Sequence, residues 1–206
     1  STVMGAQVHA PLRMTDEIVD LFLRLPEHEE NPLPIHERVN PWFTVQSLKL
    51  WRPLGVVSAI SAYNVPFYTA FWKVVPALMA GNSVILRPNP LTPISAMIFA
   101  EAAEEAGLPP GVMNVVIEQG LEGGLLMTTD PQVDMVSFTG SCTVGAKVAE
   151  QAAPTLKRLV LELGGKSAAI FLPDSAERAA AHGLQVCTAH AGQGCVLGTR
   201  VFVPED

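Results

Sequence analysis

A carboxylate and a thiol stand 33 residues apart near the C-terminal end of this 206-residue chain. The first lies in Leu161-Glu162-Leu163-Gly164-Gly165-Lys166, the second in Gly192-Gln193-Gly194-Cys195. A thiolate attacks a carbonyl carbon, and a carboxylate can activate the water that later releases the acyl product. Together they suggest covalent thioester chemistry, provided the fold brings them together. Their separation leaves room for a strand, a helix and a loop and establishes no contact. His182 and His190 leave a Cys/His hydrolase open, and a cysteine in a glycine-rich loop is more often structural than catalytic.

Other residues could complete such a site. Asn64, in Ser61-Ala62-Tyr63-Asn64-Val65-Pro66, offers an amide donor for a developing oxyanion, or simply makes a turn. Phe138-Thr139-Gly140-Ser141-Cys142 sets a glycine and hydroxyls at a strand-to-helix junction. Such a junction suits a pyrophosphate or is a helix cap alone. Arg87 follows a strand and could meet a phosphate or ribose, although an exposed arginine there is ordinary. Lys73, in an apolar helix, either snorkels to solvent or is a buried charge near the chemistry. Cys187 reads as an inert core thiol, whereas Cys142 near a helix N-terminus would have a lowered pKa.

Composition narrows the class. The chain is 49% hydrophobic and 16% charged, with a net charge of −7 and a pI near 5.2. That argues against nucleic acid or anionic lipid as partner and against disorder. Three cysteines are too few for a disulfide scaffold, and the five histidines form no ligand spacing, so no metal is expected. No apolar run is long enough to span a bilayer, and residues 1–25 lack the order of a signal peptide. A cytoplasmic, reducing setting is expected, compatible with a free thiol.

The elements that must position these groups emerge from the hydropathy pattern. Residues 15–25 read as a short amphipathic helix, 26–41 as an exposed connection, and 42–50 as a strand or hairpin arm. Strands are then predicted at 56–60, 83–86, 112–117, 134–138, 158–162 and 168–172. Helices alternate with them at 67–79, 92–105, 120–129, 141–153 and 176–189, the second capped by Thr92 with Pro93 at its first position. Short Gly/Pro/Asn connections complete an α/β, doubly wound parallel sheet of Rossmann-like type. Ligands of such sheets bind at the strand C-termini, where every motif above falls.

In this order the motifs resemble the NAD(P)-dependent aldehyde dehydrogenase superfamily from about Trp51 to Pro204. The matches are Pro53-Leu54-Gly55-Val56-Val57, Tyr63-Asn64-Val65-Pro66, Trp72-Lys73-Val74-Val75-Pro76-Ala77-Leu78 and Ala80-Gly81-Asn82-Ser83-Val84. They continue through Glu105-Ala106-Gly107-Leu108-Pro109-Pro110-Gly111-Val112, Phe138-Thr139-Gly140-Ser141, Glu162-Leu163-Gly164-Gly165-Lys166 and Gly192-Gln193-Gly194-Cys195. The resemblance implies that Cys195 forms a thiohemiacetal with an aldehyde. Asn64 and the Cys195 N–H would make the oxyanion hole, and Glu162 would activate the water that hydrolyses the thioester. Lys73 would lie near the active centre. Gly140, Ser141 and Val144 would hold the pyrophosphate, and Leu163 with Gly164 would lie by the nicotinamide. Ile60, Tyr63, Arg87, Asn89, Gly120, Gly124 and Phe138 would line the rest of the cofactor groove.

Two departures qualify this picture. The family's Lys-Pro-Ser-Glu after the second strand is here Arg87-Pro88-Asn89-Pro90. Losing that carboxylate while keeping a cation relaxes discrimination against a 2′-phosphate, so NADP tolerance is expected beside NAD. The chain also stops eleven residues after Cys195, where family members continue, which implies part of a longer protein. Residues 1–164 would form the cofactor-binding domain, with 35–50 an oligomerisation hairpin, and 165–206 would begin an α/β catalytic domain. The resemblance implies a homodimer or homotetramer acting on a small aldehyde. Phe67, Tyr68 and Phe71 hint at an apolar or aromatic one, although a core-facing helix explains them equally. The alternatives are a CoA-acylating aldehyde dehydrogenase, which Glu162 weighs against, and a non-catalytic binding or assembly module.

Overall fold

The computed structural model describes residues 52–205. The helix expected at 15–25 and the hairpin at 35–50 lie outside the described residues. Val56–Ile60 (β1), Ser83–Arg87 (β2), Met113–Val115 (β3), Met135–Gly140 (β4) and Arg158–Leu163 (β5) form one parallel sheet in the order β3-β2-β1-β4-β5. The chain winds outward from β1 through helices Pro66–Met79 (α1) and Ile94–Glu105 (α2). It then returns through Glu122–Thr129 (α3) to the other side of β1, where Cys142–Ala152 (α4) links β4 to β5. The winding therefore reverses between β1 and β4, and the strand C-termini there open a crevice.

Strand alternation sends side chains to two cores. Val57, Ala59, Val84 and Leu86 pack under α1 and α2 against Ala70, Val74, Ala77 and Ala96. Ile60, Val136 and Phe138 pack on the opposite face with Met127 of α3 and Val148 of α4. Burial on both faces explains why these strands read as continuous apolar runs. Phe67 and Phe71 of α1 cluster with Phe99 of α2, at centroid separations of 5.8–6.3 Å. Packing between the helices thus accounts for Phe67 and Phe71, while Tyr68 packs edge-on against Trp72 at 5.7 Å.

Asn82 ties the end of α1 to the start of β1. Its Oδ1 accepts from the N–H groups of Leu54 (2.6 Å) and Gly55 (3.0 Å), and its Nδ2 donates to the Ala77 carbonyl (2.9 Å). Gly55 is required for close approach: at φ +127°, an added Cβ would lie 2.1 Å from Asp134 Oδ2. That same carboxylate oxygen accepts from Val56 N–H at 2.8 Å.

The second unit is smaller. Ala168–Ile170 (β6) and Arg200–Phe202 (β7) pair in parallel, joined through a 3₁₀ turn at Pro173–Arg178 and helix Ala179–Thr188 (α5). The helix expected from 176 is therefore split, and its first turn is tightened after Pro173. Thr92 does not cap α2: Pro93 is already helical at φ −80°, ψ −21°, and the buried Thr92 hydroxyl has no partner among the described residues.

Candidate active site

The loop carrying the thiol docks on the segment after β1. Past α5, His190, Ala191 and Gly192 adopt left-handed backbone at φ 52°, 53° and 74°, which reverses the chain before Cys195. Only glycine takes such a conformation without cost, so two non-glycine residues there need outside support. Asn64 supplies it from 129 residues earlier: its Nδ2 donates to the Gln193 carbonyl at 2.7 Å. His190 Nε2 lies 2.7 Å from the Asn64 carbonyl, which can only accept, so this nitrogen donates. His182 packs edge-on against Phe171 at 5.5 Å. The Cys195 thiol is exposed. Its carbonyl lies against Gly165, where an added Cβ would come within 3.8 Å. Residues from the ends of β1 and β5 thus meet the Cys195 loop.

Lys73 is buried, at 7% exposure, rather than snorkelling to solvent. It rises from α1 toward the sheet, where Nζ donates to Ser137 Oγ at 3.1 Å. The period-2 alternation of strands explains its second neighbour. Ser137 and Thr139 share a face of β4, and Thr139 is paired in register with Glu162 on β5, so Glu162 points to the same side. Burial lowers the Lys73 pKa from 10.5 to about 8, opposed by the charge of Glu162. A neutralisable amine and a carboxylate therefore share one face at the sheet's C-terminal edge.

On the other face the start of α4 meets the end of β5. Ser141 caps the helix, its Oγ accepting from Val144 N–H at 3.3 Å. Gly164 N–H donates to the Gly140 carbonyl at 3.2 Å, and the Cys142 thiol donates to the Gly164 carbonyl at 3.3 Å. Gly145 lies beneath Leu163, where an added Cβ would be 2.5 Å from Leu163 Cδ2. Gly140, Ser141, Val144, Leu163 and Gly164 therefore converge. The remaining first-turn N–H groups of α4 have no acceptor within the helix, the arrangement that suits a pyrophosphate. At the C-terminal end of β1, the buried Ser61 hydroxyl is likewise without a partner among the described residues. Both features fit a dinucleotide. Tyr63 is exposed beside Asn64, whereas the Ile60 and Phe138 side chains are buried in the core beneath the sheet's C-terminal edge. Asn89 Oδ1 closes a local turn by accepting from Leu91 N–H at 3.0 Å.

Arg87 departs from expectation. Its side chain is 10% exposed and held by Glu118, with Nε to Oε1 at 2.5 Å, while Nη2 donates to the Gly120 carbonyl at 2.9 Å. Glu118 also accepts from the N–H groups of Gly123 (2.7 Å) and Gly124 (2.9 Å), capping α3. Gly120 and Gly124 thus serve this ion pair. Burial pushes the Glu118 pKa up, but the Arg87 and glycine hydrogen bonds outweigh it and hold the carboxyl below its ordinary value. Sequence reasoning missed Glu118. The available signal was a carboxylate just past β3 beside an arginine ending the neighbouring β2, since parallel register carries both to one edge. Among the described residues no group of His, Cys, Asp or Glu could hold a metal, and no helix is long and apolar enough to cross a membrane.

Comparison with known proteins gives this geometry its context. The model of the aldehyde dehydrogenase family matches residues 8–206. The chain belongs to the aldehyde dehydrogenase family. It is 46% identical over 156 residues to 4-trimethylaminobutyraldehyde dehydrogenase A of Danio rerio, covering 75% of this chain and 30% of that protein. Among solved structures it is similar to aldehyde dehydrogenase C of Pseudomonas syringae in complex with NAD+ and octanal. There the identity is 46% and the TM-score 0.70, covering 75% of this chain and 32% of that one. An NADP-dependent enzyme of E. coli matches at 40% identity and a TM-score of 0.70, covering 74% of this chain and 32% of its own. The chain thus spans about a third of the length of these three proteins.

Proposed function

We propose that this chain supplies the cofactor-binding part (to residue 164) and the nucleophile-bearing part (from 165) of an enzyme oxidising an aldehyde to a carboxylic acid with NAD(P). The observation that carries this is the Asn64–Gln193 hydrogen bond, which joins the amide expected to bind an oxyanion to the Cys195 loop. The Cys195 sulfur adds to the aldehyde carbonyl carbon. The second Asn64 amide proton and the Cys195 N–H donate to the resulting oxyanion. Ser141, Val144 and the Ser61 edge would hold NAD(P), whose nicotinamide would take the hydride leaving the tetrahedral carbon as the carbonyl re-forms in the Cys195 thioester. Glu162 takes a proton from water, the hydroxide adds to the thioester carbonyl, and the C–S bond breaks to release the acid and the Cys195 thiolate. Lys73 lies on the Glu162 side of the sheet, near the proposed active centre.

Octanal in the Pseudomonas syringae complex supports a small aldehyde as substrate. The free thiols agree with a reducing, cytoplasmic setting, and a homodimer or homotetramer completes the proposal. The test is production of NAD(P)H from aldehydes by the intact protein, with and without CoA. Cys195→Ala should abolish turnover, and Glu162→Gln should accumulate an acyl-protein detectable by intact mass. Full activity in Cys195→Ala would overturn the mechanism.

A further inference from the structure

We propose that the Glu118–Arg87 pair makes this chain select NAD over NADP, with Glu118 as the specificity-determining residue. The proposal rests on the cofactor site assigned above and reverses the expectation drawn from Arg87 and Pro90 alone. In doubly wound folds the adenosine ribose lies at the end of the second strand. A carboxylate there accepts the ribose hydroxyls, while an arginine accommodates a 2′-phosphate. Arg87 ends β2 and stands where such an arginine would act.

Its charge is already matched. Nε is bound by Glu118 and Nη2 by the Gly120 carbonyl, and the side chain is largely buried. Turning the guanidinium outward toward a phosphate would strand the Glu118 carboxylate in a partly buried place, which is costly. Nor can Glu118 turn away, because both its oxygens are fixed by the Gly123 and Gly124 N–H groups. The pocket is built for this pair. A Cβ on Gly123 would lie 3.0 Å from Glu118 Oε2, and one on Gly124 would lie 3.2 Å from Arg87 Nε. Glu118 also fills the N-terminus of α3, a place that would otherwise attract an anion. A 2′-phosphate arriving here meets a neutral pair with its carboxylate fixed. A neutral ribose hydroxyl adds no charge and can still accept from a remaining Arg87 N–H.

Isothermal titration calorimetry of the intact protein with NAD+ and NADP+ tests this, with thermal melts to confirm folding. The wild type should bind NAD+ at least about tenfold more tightly, the scale of a like-charge juxtaposition. Glu118→Gln should close that gap by strengthening NADP+ binding, and adding Arg87→Met should remove the gain. A purely structural role for Glu118 would weaken both cofactors together and leave the ratio unchanged. Should Glu118→Gln not fold, Glu118→Asp keeps the charge and should retain the NAD+ preference. Equal wild-type affinities, or a ratio untouched by Glu118→Gln in a folded protein, would overturn the proposal. Failure of folded wild type to bind either cofactor would instead remove the cofactor site itself, and this inference with it.

Discussion

Replacing Lys73 with methionine should stabilise the protein at neutral pH and destabilise it in alkali. Lys73 is buried, and its pKa falls from 10.5 to about 8 because burial penalises the ammonium more than Glu162 supports it. A lowered lysine pKa means the folded state releases its proton first. Between pH 8 and 10.5 the unfolded chain binds more protons, so this group makes stability rise with pH across that window. Below pH 8 the ammonium is present in both states, and its burial costs about 3 kcal/mol, from roughly 2.5 pH units at 1.36 kcal/mol each. Methionine has a similar shape and removes that cost, but it leaves the buried Ser137 hydroxyl without its 3.1 Å partner. The lost bond is worth about 1–2 kcal/mol. The net expectation at pH 7 is a gain of about 1–2 kcal/mol, or roughly 4 °C in melting temperature for a chain of this size. Urea unfolding of both proteins at intervals from pH 7 to 10.5 reads the difference directly. Titrations shared by the two proteins cancel in that comparison. The methionine variant's advantage should shrink above pH 8 and change sign before pH 10.5. An advantage that stays constant with pH, or a variant less stable at pH 7, would refute the reasoning. Adding Glu162→Gln to the wild type should move the window lower, because it removes the charge that supports the ammonium.

Two further changes probe the frame around the site. Gly145→Ala would normally favour an exposed helix by about 1 kcal/mol, but its Cβ would meet Leu163 at 2.5 Å. We expect a loss of about 1–2 kcal/mol in thermal or chemical unfolding, and a stabilised variant would show that Leu163 moves freely. Asn82→Ala removes three hydrogen bonds and leaves the Leu54 and Gly55 N–H groups unpaired, for an expected loss of about 2–4 kcal/mol. A change under about 0.5 kcal/mol, the scatter of surface substitutions, would count against the tie between α1 and β1.

Much of the sheet could be read in the residues themselves. Val56–Ile60 and Ser83–Arg87 are short, β-branched and bounded by glycine or proline, and the structure sets them side by side. Boundaries were less legible where local and tertiary demands compete. Pro93 brings the chain into helical geometry without the Thr92 side chain, and β3 keeps only Met113–Val115 of the run expected at 112–117. At the edge of a sheet, pairing ends where the neighbour ends, which no local pattern records.

The sequence by itself determined the alternation of strands and helices, the family, and the candidate thiol, carboxylate and amide. Apolar periodicity and short motifs are local properties, and they survive without knowledge of the partners. Only the tertiary structure decided what the cations do. Lys73 is buried because α1 packs its inner face on β1 and β2, from where its amine reaches Ser137 of β4, and Arg87 is paired because β2 and β3 end together with Glu118 beyond. A charge takes its meaning from what surrounds it: the same arginine attracts a phosphate when free and not when a carboxylate is fixed beside it. That neighbour lies 31 residues away along the chain, and only folding brings it within 2.5 Å.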